Sequence, residues 1–314
     1  MVVKPAEQTP LTALMVAELL VRAGLPRGVL NVVTGSGMEA GAPLVAHPLV
    51  RQVTFTGSCT TGIEILRAAA GNVTSVLPEL GGKSPCVVLG DADIAAAVEG
   101  VTGAIFENAG QICSAAARLV VERSIHDEVL ERLAARARAL RLGHGLRRPD
   151  MGPVSSSAQQ EKVGGFVAAA RERGLEIVTG GAATVDPETG DGWFYEPTII
   201  DHVPVDDPIA QEEIFGPVLA VQCVDDADEA VAVANSTRFA LVAGIYTRDF
   251  SAAHRLARRI DAGQVYINAY FAGGIALPFG GNRMSGFGRE KGFDALRNYM
   301  KLKSVAASIA EAHP

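Results

Sequence analysis

The run Pro85-Cys86-Val87-Val88-Leu89 decides the fold, because it is apolar without the alternation that a half-exposed strand shows. Strands buried on both faces lose that alternation, and such strands belong to parallel sheets covered by helices. Val218–Val224 reads the same way. Outward from these two runs, further strands are predicted at 29–33, 50–55, 118–122, 241–247 and 264–268. Helices are predicted at 10–23, 61–70, 92–107, 125–140, 158–173, 227–235 and 251–260. Thr9 as N-cap, Pro10 as first helical residue and the stop at Gly24 and Pro26 bound the first helix. Strands alternating with helices predict the α/β class.

Composition narrows the function. The 314 residues are 48% apolar and 20% charged with a net charge of −7, which describes a mildly acidic globular protein long enough for a large core. No apolar run reaches the roughly 18 residues of a membrane helix. The start, MVVKPAEQTP, has neither a secretory nor a transit-peptide pattern, so the expected location is cytoplasmic. Arg132, Arg136, Arg138, Arg141, Arg147 and Arg148 crowd one segment. The acidic whole and the lack of stacking aromatics nearby favour a solvated helix face over a nucleic-acid surface. Cys59, Cys86, Cys113 and Cys223 form no CxxC pair, so neither a disulfide framework nor a zinc site is expected, and any special cysteine is a lone nucleophile.

Three features carry candidate chemistry. Cys113 follows an apolar helix among small residues, Ala109-Gly110-Gln111-Ile112-Cys113-Ser114-Ala115, where a thiol stays reachable. It reads either as a nucleophile or as a structural thiol. Glu79, in Pro78-Glu79-Leu80-Gly81-Gly82-Lys83, is an acid among apolar and glycine neighbours. Desolvation would raise its pKa toward that of a general base; the competing reading pairs it with Lys83. Gly35-Ser36-Gly37 with Gly41 lacks the G-x-G-x-x-G spacing and reads either as a dinucleotide loop or as a tight turn.

Taken together, the Glu79 and Cys113 segments resemble the aldehyde dehydrogenase superfamily, in its NAD(P)-dependent hydrolytic branch. The motifs run in order along nearly the whole chain: Lys4-Pro5-Ala6-Glu7-Gln8-Thr9-Pro10, Phe55-Thr56-Gly57-Ser58, Glu79-Leu80-Gly81-Gly82-Lys83, Gly110-Gln111-Ile112-Cys113, Glu213-Ile214-Phe215-Gly216-Pro217, Pro278-Phe279-Gly280-Gly281 and Ser285-Gly286-Phe287-Gly288-Arg289-Glu290. The resemblance implies an incomplete Rossmann-like cofactor domain over 1–81, an α/β catalytic thiol domain over 82–284 and a C-terminal segment over 285–314; the Ala-rich composition of 304–314 predicts a loose end. It implies that Lys4 and Glu7 hold the adenosine ribose, that Ser58 at a helix start contacts the pyrophosphate, and that Glu213 binds the nicotinamide ribose with Phe215 beside it. An acid near the adenosine ribose disfavours a 2′-phosphate, so Glu7 favours NAD over NADP.

The implied reaction is oxidation of a small aldehyde to a carboxylic acid. Cys113 attacks the aldehyde, its backbone N–H helps to hold the oxyanion, hydride leaves for the nicotinamide, and water activated by Glu79 hydrolyses the thioester. Glu79 argues against the coenzyme A-acylating branch, where this acid is typically absent. Pro78 stands where the family usually has Leu and is expected to bend the strand that aims Glu79; Arg283 stands where it often has Lys. Asn268, Tyr270 and the stretch 271–277 fall in the family's substrate-anchoring loop. Phe106, Phe271 and Phe279 read either as an aromatic entry tunnel or as ordinary packing.

Against the family the chain is expected to be N-terminally truncated. The part before Lys4 would supply the first strand and helix of the cofactor sheet, an oxyanion-hole asparagine and a hairpin used in homo-oligomer assembly. One oxyanion donor is worth roughly 10²–10³ in turnover. The alternative function is therefore a catalytically incompetent homologue acting in nucleotide binding or subunit interaction.

Overall fold

The computed structural model describes residues 1–309, so the last five residues of the expected C-terminal segment lie outside the described residues. The chain divides into two compact units, Met1–Pro78 and Glu79–Pro314.

In the smaller unit, β1 (Val2–Val3) pairs in parallel with β2 (Asn31–Val32) across α1 (Pro10–Arg22). The helix begins where the Thr9-Pro10 signal places it, although the Thr9 side chain makes no capping bond. No residue of α1 is buried, and Leu11, Met15 and Leu19 are exposed. A second pair joins β3 (Gln52–Thr56), which leads into α2 (Cys59–Ala70), with β4 (Ser75–Glu79). Pro78 sits inside β4. The Gly35–Gly41 segment is a tight turn: Ser36 caps a single π-helical turn over Gly37–Gly41.

The larger unit is built on a seven-stranded sheet. Its strands are β5 (Pro85–Val88), β6 (Arg118–Glu122), β7 (Glu176–Thr179), β8 (Thr198–Asp201), β9 (Val218–Val224), β10 (Val242–Tyr246) and β11 (Gln264–Ile267). They lie in the order β11-β10-β5-β6-β9-β8-β7, parallel except for the edge strand β7. The helices are α3 (Ile94–Phe106), α4 (His126–Arg138), α5 (Ser157–Glu172), α6 (Ala227–Ala234) and α7 (Phe250–Arg259).

The unalternating strands are buried on both sides. Cys86 and Val88 face a core built with Val101 and Ile105 of α3, Leu133 of α4 and Val167 of α5. Val87 and Leu89 face a second core with Ala230 and Val233 of α6 and Leu256 of α7. In β6, Leu119 and Val121 point to the first core and Val120 to the second. Each residue of these strands is thus apolar because each face needs one. Glu122 at the end of β6 and Gln222 in β9 are polar exceptions, and so is Arg118 at the start of β6. Its buried guanidinium donates to the carbonyls of Lys83, Val233 and Ala234 at 2.9, 2.7 and 2.7 Å, closing the C-terminal end of α6, where orphan carbonyls need donors.

Candidate active site

Three segments approach one edge of the sheet because each runs into the start of one of three adjacent parallel strands. Residues 79–84 enter β5, residues 107–117 enter β6, and residues 211–217 enter β9. The first two are tied where they join the sheet by the Arg118 N–H on the Ser84 carbonyl at 3.2 Å. Glu79, Cys113 and Glu213, far apart in sequence, therefore share a site.

Close approach explains the paired glycines. A Cβ on Gly81 would lie 2.0 Å from Oε2 of Glu213, and one on Gly82 would lie 2.7 Å from the Cys113 carbonyl oxygen. The Gly82 N–H donates to Oε1 of Glu213 at 3.0 Å. Any larger side chain would push the carboxylate or the thiol-bearing turn away. Behind them, the Ser285 hydroxyl donates to the Gly81 carbonyl at 2.8 Å and accepts the Ala240 N–H at 3.0 Å, while Leu80 N–H donates to Ser285 O at 3.1 Å. The Ser285 motif is legible in the sequence, but its part in holding Glu79–Gly82 is visible only in three dimensions.

Glu79 is 4% exposed, and neither carboxylate oxygen has a hydrogen-bond partner. Burial, reinforced by the charge of Glu290 and opposed by Arg289, pushes its pKa up to about 8. It is not paired with Lys83. That lysine is itself buried with an unpartnered Nζ, and burial next to Arg118 brings its pKa down to about 7. Cys113 is half-buried and, like Tyr270 and Phe279, packs against a small apolar cluster of Leu241, Val242 and Tyr266. Burial and then the charges of Glu213 and Glu79 raise its thiol pKa, so the site at rest holds a protonated thiol.

The turn before Cys113 is strained. Asn108 and Ala109 have φ of 51° and 55° in the left-handed region. Such residues cost about 1–3 kcal/mol each and persist where the surroundings over-determine them. Here Gln111 supplies the restraint: its side chain donates to Asn108 O at 3.0 Å and accepts from Ser155 N at 2.7 Å. The Tyr270 hydroxyl donates to the Ser114 carbonyl at 3.0 Å, and the Asn268 amide brackets Thr247, accepting from its N–H at 3.0 Å and donating to its carbonyl at 2.9 Å. Both residues of the expected substrate-anchoring loop thus brace the protein. Phe106 lies in the main core, which settles its two readings in favour of packing.

Glu213 and Phe215 line a small cavity with Gly82, Gly110, Ile112 and Val218. Burial raises the Glu213 pKa, opposed by the Gly82 N–H, Lys162 and Lys83. Phe215, at φ 59°, is held there by α5: Gln159 donates to the carbonyls of Ile214 and Phe215 at 3.0 and 2.8 Å, and Lys162 to that of Glu213 at 3.0 Å. Sequence reading missed Gln159 and Lys162; their spacing of three on one helix face was the available signal.

In the smaller unit Lys4 and Glu7 come together. The Lys4 ammonium donates to the carbonyls of Pro5 and Gly35 at 2.8 and 2.9 Å and to Glu7 Oε2 at 3.3 Å. A backbone hydrogen bond and then Lys4 hold the Glu7 pKa below the usual carboxylate value. Ser58 caps α2, its Oγ accepting the Thr61 N–H at 3.2 Å. A carboxylate kept ionised beside an ammonium, and a capped helix start, are groups that hold hydroxyls and phosphates.

The helix-covered, mostly parallel sheet with a thiol and two carboxylates gathered at one end of its strands defines an α/β class of protein, and comparison with known proteins makes it specific. Residues 1–305 match the aldehyde dehydrogenase family model. The chain belongs to the aldehyde dehydrogenase family. Betaine aldehyde dehydrogenase of Rhizobium leguminosarum bv. trifolii is 45% identical over 306 residues, 97% of this chain and 62% of that protein. The crystal structure of HpcC from Thermus thermophilus superposes with a TM-score of 0.95 at 42% identity, covering 99% of this chain and 61% of that one. Betaine aldehyde dehydrogenase from Staphylococcus aureus, solved in complex with NAD+, gives a TM-score of 0.93 at 37% identity over 95% of this chain and 59% of that one. The chain thus spans about 62% of the length of the curated relatives it matches. Among the described residues no helix is long and apolar enough to cross a membrane.

Proposed function

We propose that this chain carries the reaction centre of a hydrolytic, NAD-dependent aldehyde dehydrogenase, with Cys113 as nucleophile and Glu79 as general base. The observation that carries the reading is the placement of a reachable thiol near a half-buried carboxylate, Glu213, and a buried one, Glu79, that has no hydrogen-bond partner. A buried acid with a pKa near neutrality is what proton abstraction at ordinary pH needs.

In each unit taken by itself, the residues present suit a part of the cofactor. Glu213 keeps Oε2 beside a Gly81 that a Cβ would block, a shape suited to a carboxylate gripping ribose hydroxyls, with Phe215 next to it. Lys4 and Glu7 suit the adenosine ribose, and Ser58 a phosphate at the start of α2. NAD, when bound, supplies the hydride acceptor.

The chain's own groups do the rest. The Cys113 thiol releases its proton to solvent, and Sγ bonds to the aldehyde carbon as the carbonyl π pair moves onto oxygen, with the Cys113 backbone N–H as one oxyanion donor. Loss of hydride leaves a thioester. Glu79 then takes a proton from water, the resulting hydroxide attacks the acyl carbon, and the C–S bond breaks to release the carboxylic acid and the Cys113 thiolate. Burial and then the charges of Glu213 and Glu79 raise the thiol pKa, and the Glu79 share of that repulsion is absent when Glu79 is neutral. Unpaired thiols at Cys86, Cys113 and Cys223 support a reducing, cytoplasmic setting.

The test is NADH formation with a panel of short aliphatic and aromatic aldehydes, using the chain and Cys113→Ala side by side. Turnover that disappears in the variant is expected. A folded chain that binds NAD but turns over no aldehyde would assign it instead to a nucleotide-binding or subunit-interaction role.

A further inference from the structure

At the opposite, C-terminal edge of the sheet lies a cluster that the proposed reaction does not use. His126 opens α4 just after β6, Asp201 ends β8, and His202 follows it; one ligand atom from each lies within 4.8 Å of the others. His126 Nε2 is 3.0 Å from Asp201 Oδ1, and His202 Nε2 is 3.5 Å from Asp201 Oδ2. His126 and Asp201 are buried, whereas the His202 side chain is 64% exposed, so the cluster opens to solvent on one side. His202 adopts φ 51°, and this left-handed turn stacks its ring on that of His126 with centroids 5.3 Å apart. Behind the cluster, Asp127 Oδ1 lies 2.8 Å from His126 Nδ1. A carboxylate on Nδ1 is the outer arrangement that metal-binding imidazoles use, while Nε2 shares a proton with Asp201 Oδ1 that an ion would displace.

We propose that His126, Asp201 and His202 bind one divalent transition-metal ion of the zinc class, with Asp127 orienting His126 and water completing the coordination. Two imidazoles and one carboxylate suit zinc, cobalt, nickel or copper and not magnesium or calcium. One donor atom from each residue lies within 4.8 Å of the others, near enough that small side-chain rotations bring the three around one ion with bonds of about 2.0–2.2 Å. The site joins the strand–helix turn after β6 to the end of β8, with β9 between them, so an ion there would strap this edge of the larger unit.

Zinc chloride is titrated into the full chain by calorimetry, with histidine ring nitrogens followed by NMR. One ion is expected to bind and to move the resonances of His126 and His202 while leaving those of His47, His144 and His254 in place. His202→Ala, an exposed change that leaves the fold intact, is expected to weaken this binding at least about tenfold, and Asp127→Asn to weaken it less. Thermal unfolding should shift upward with zinc in the chain and not in His202→Ala. Absence of shifts at His126 and His202, or equal affinity in His202→Ala, would overturn the proposal. So would zinc signals confined to other histidines.

Discussion

Glu79→Gln is expected to change how stability depends on pH. The native pKa of Glu79 is about 8 against an ordinary 4.5, so the folded chain keeps a proton there that the unfolded chain has released. Between those two values the native state binds more protons, and the free energy of unfolding falls as pH rises. The stabilisation is complete below 4.5 and is lost as pH climbs through about 8. At 1.36 kcal/mol per pKa unit the full span is about 5 kcal/mol, of which about 4 kcal/mol falls between about pH 5 and pH 9. Near-complete burial of the carboxylate means that solvent does not screen this away. Urea unfolding of the larger unit would be followed at both pH values for the chain and for Glu79→Gln. The variant should gain on the parent by about 4 kcal/mol on going from the lower to the higher pH, because glutamine does not titrate. Its own packing and hydrogen-bonding defects are the same at both pH values and cancel. A difference between the two proteins that stays constant with pH would refute the claim that Glu79 is desolvated, and with it the reason for assigning it the base. In the enzyme assay, the hydrolytic step should accelerate as pH rises through about 8 and lose that inflection in the variant.

Other perturbations follow from the contacts around the site. Gly81→Ala would put a Cβ 2.0 Å from Glu213 Oε2, so the carboxylate must move, and KM for NAD should rise more than kcat falls in steady-state assays. Tyr270→Phe removes the bond to the Ser114 carbonyl, which should cost about 1–2 kcal/mol in urea unfolding and lower kcat by loosening the Cys113 turn. Arg118→Met strips donors from three buried carbonyls and should lower stability by about 3–5 kcal/mol, again by urea unfolding, even though the residue touches no reacting group.

Much of the secondary structure was legible because its causes are local. The runs predicted at 118–122 and 218–224 are strands with those same bounds, and the helix predicted at 10–23 spans Pro10–Arg22. Periodicity, β-branched runs and Pro and Gly stops act over a few residues. Glu176–Thr179 and Thr198–Asp201 went unread, and the strand Ser75–Glu79 was expected only through the resemblance. The last contains a proline, and the first two are four residues long; pairing with a neighbour, not propensity, makes them strands.

The ordered motifs identified the family and nominated Glu79, Cys113, Glu213, Phe215, Lys4, Glu7 and Ser58, because the residue types are written into the chain. What they do to one another was not written there. Sequence left Glu79 open between a base and a partner of Lys83, whereas the fold leaves both buried and unpaired with each other. The sheet order sets β5, β6 and β9 side by side, and that alone brings Glu79, Cys113 and Glu213 to one edge. The same order carries His126 to Asp201, 75 residues on, at the other edge. Residue identity and short-range pattern reside in the chain itself, but electrostatic environment depends on distance and burial, and these exist only after strands far apart in sequence have paired.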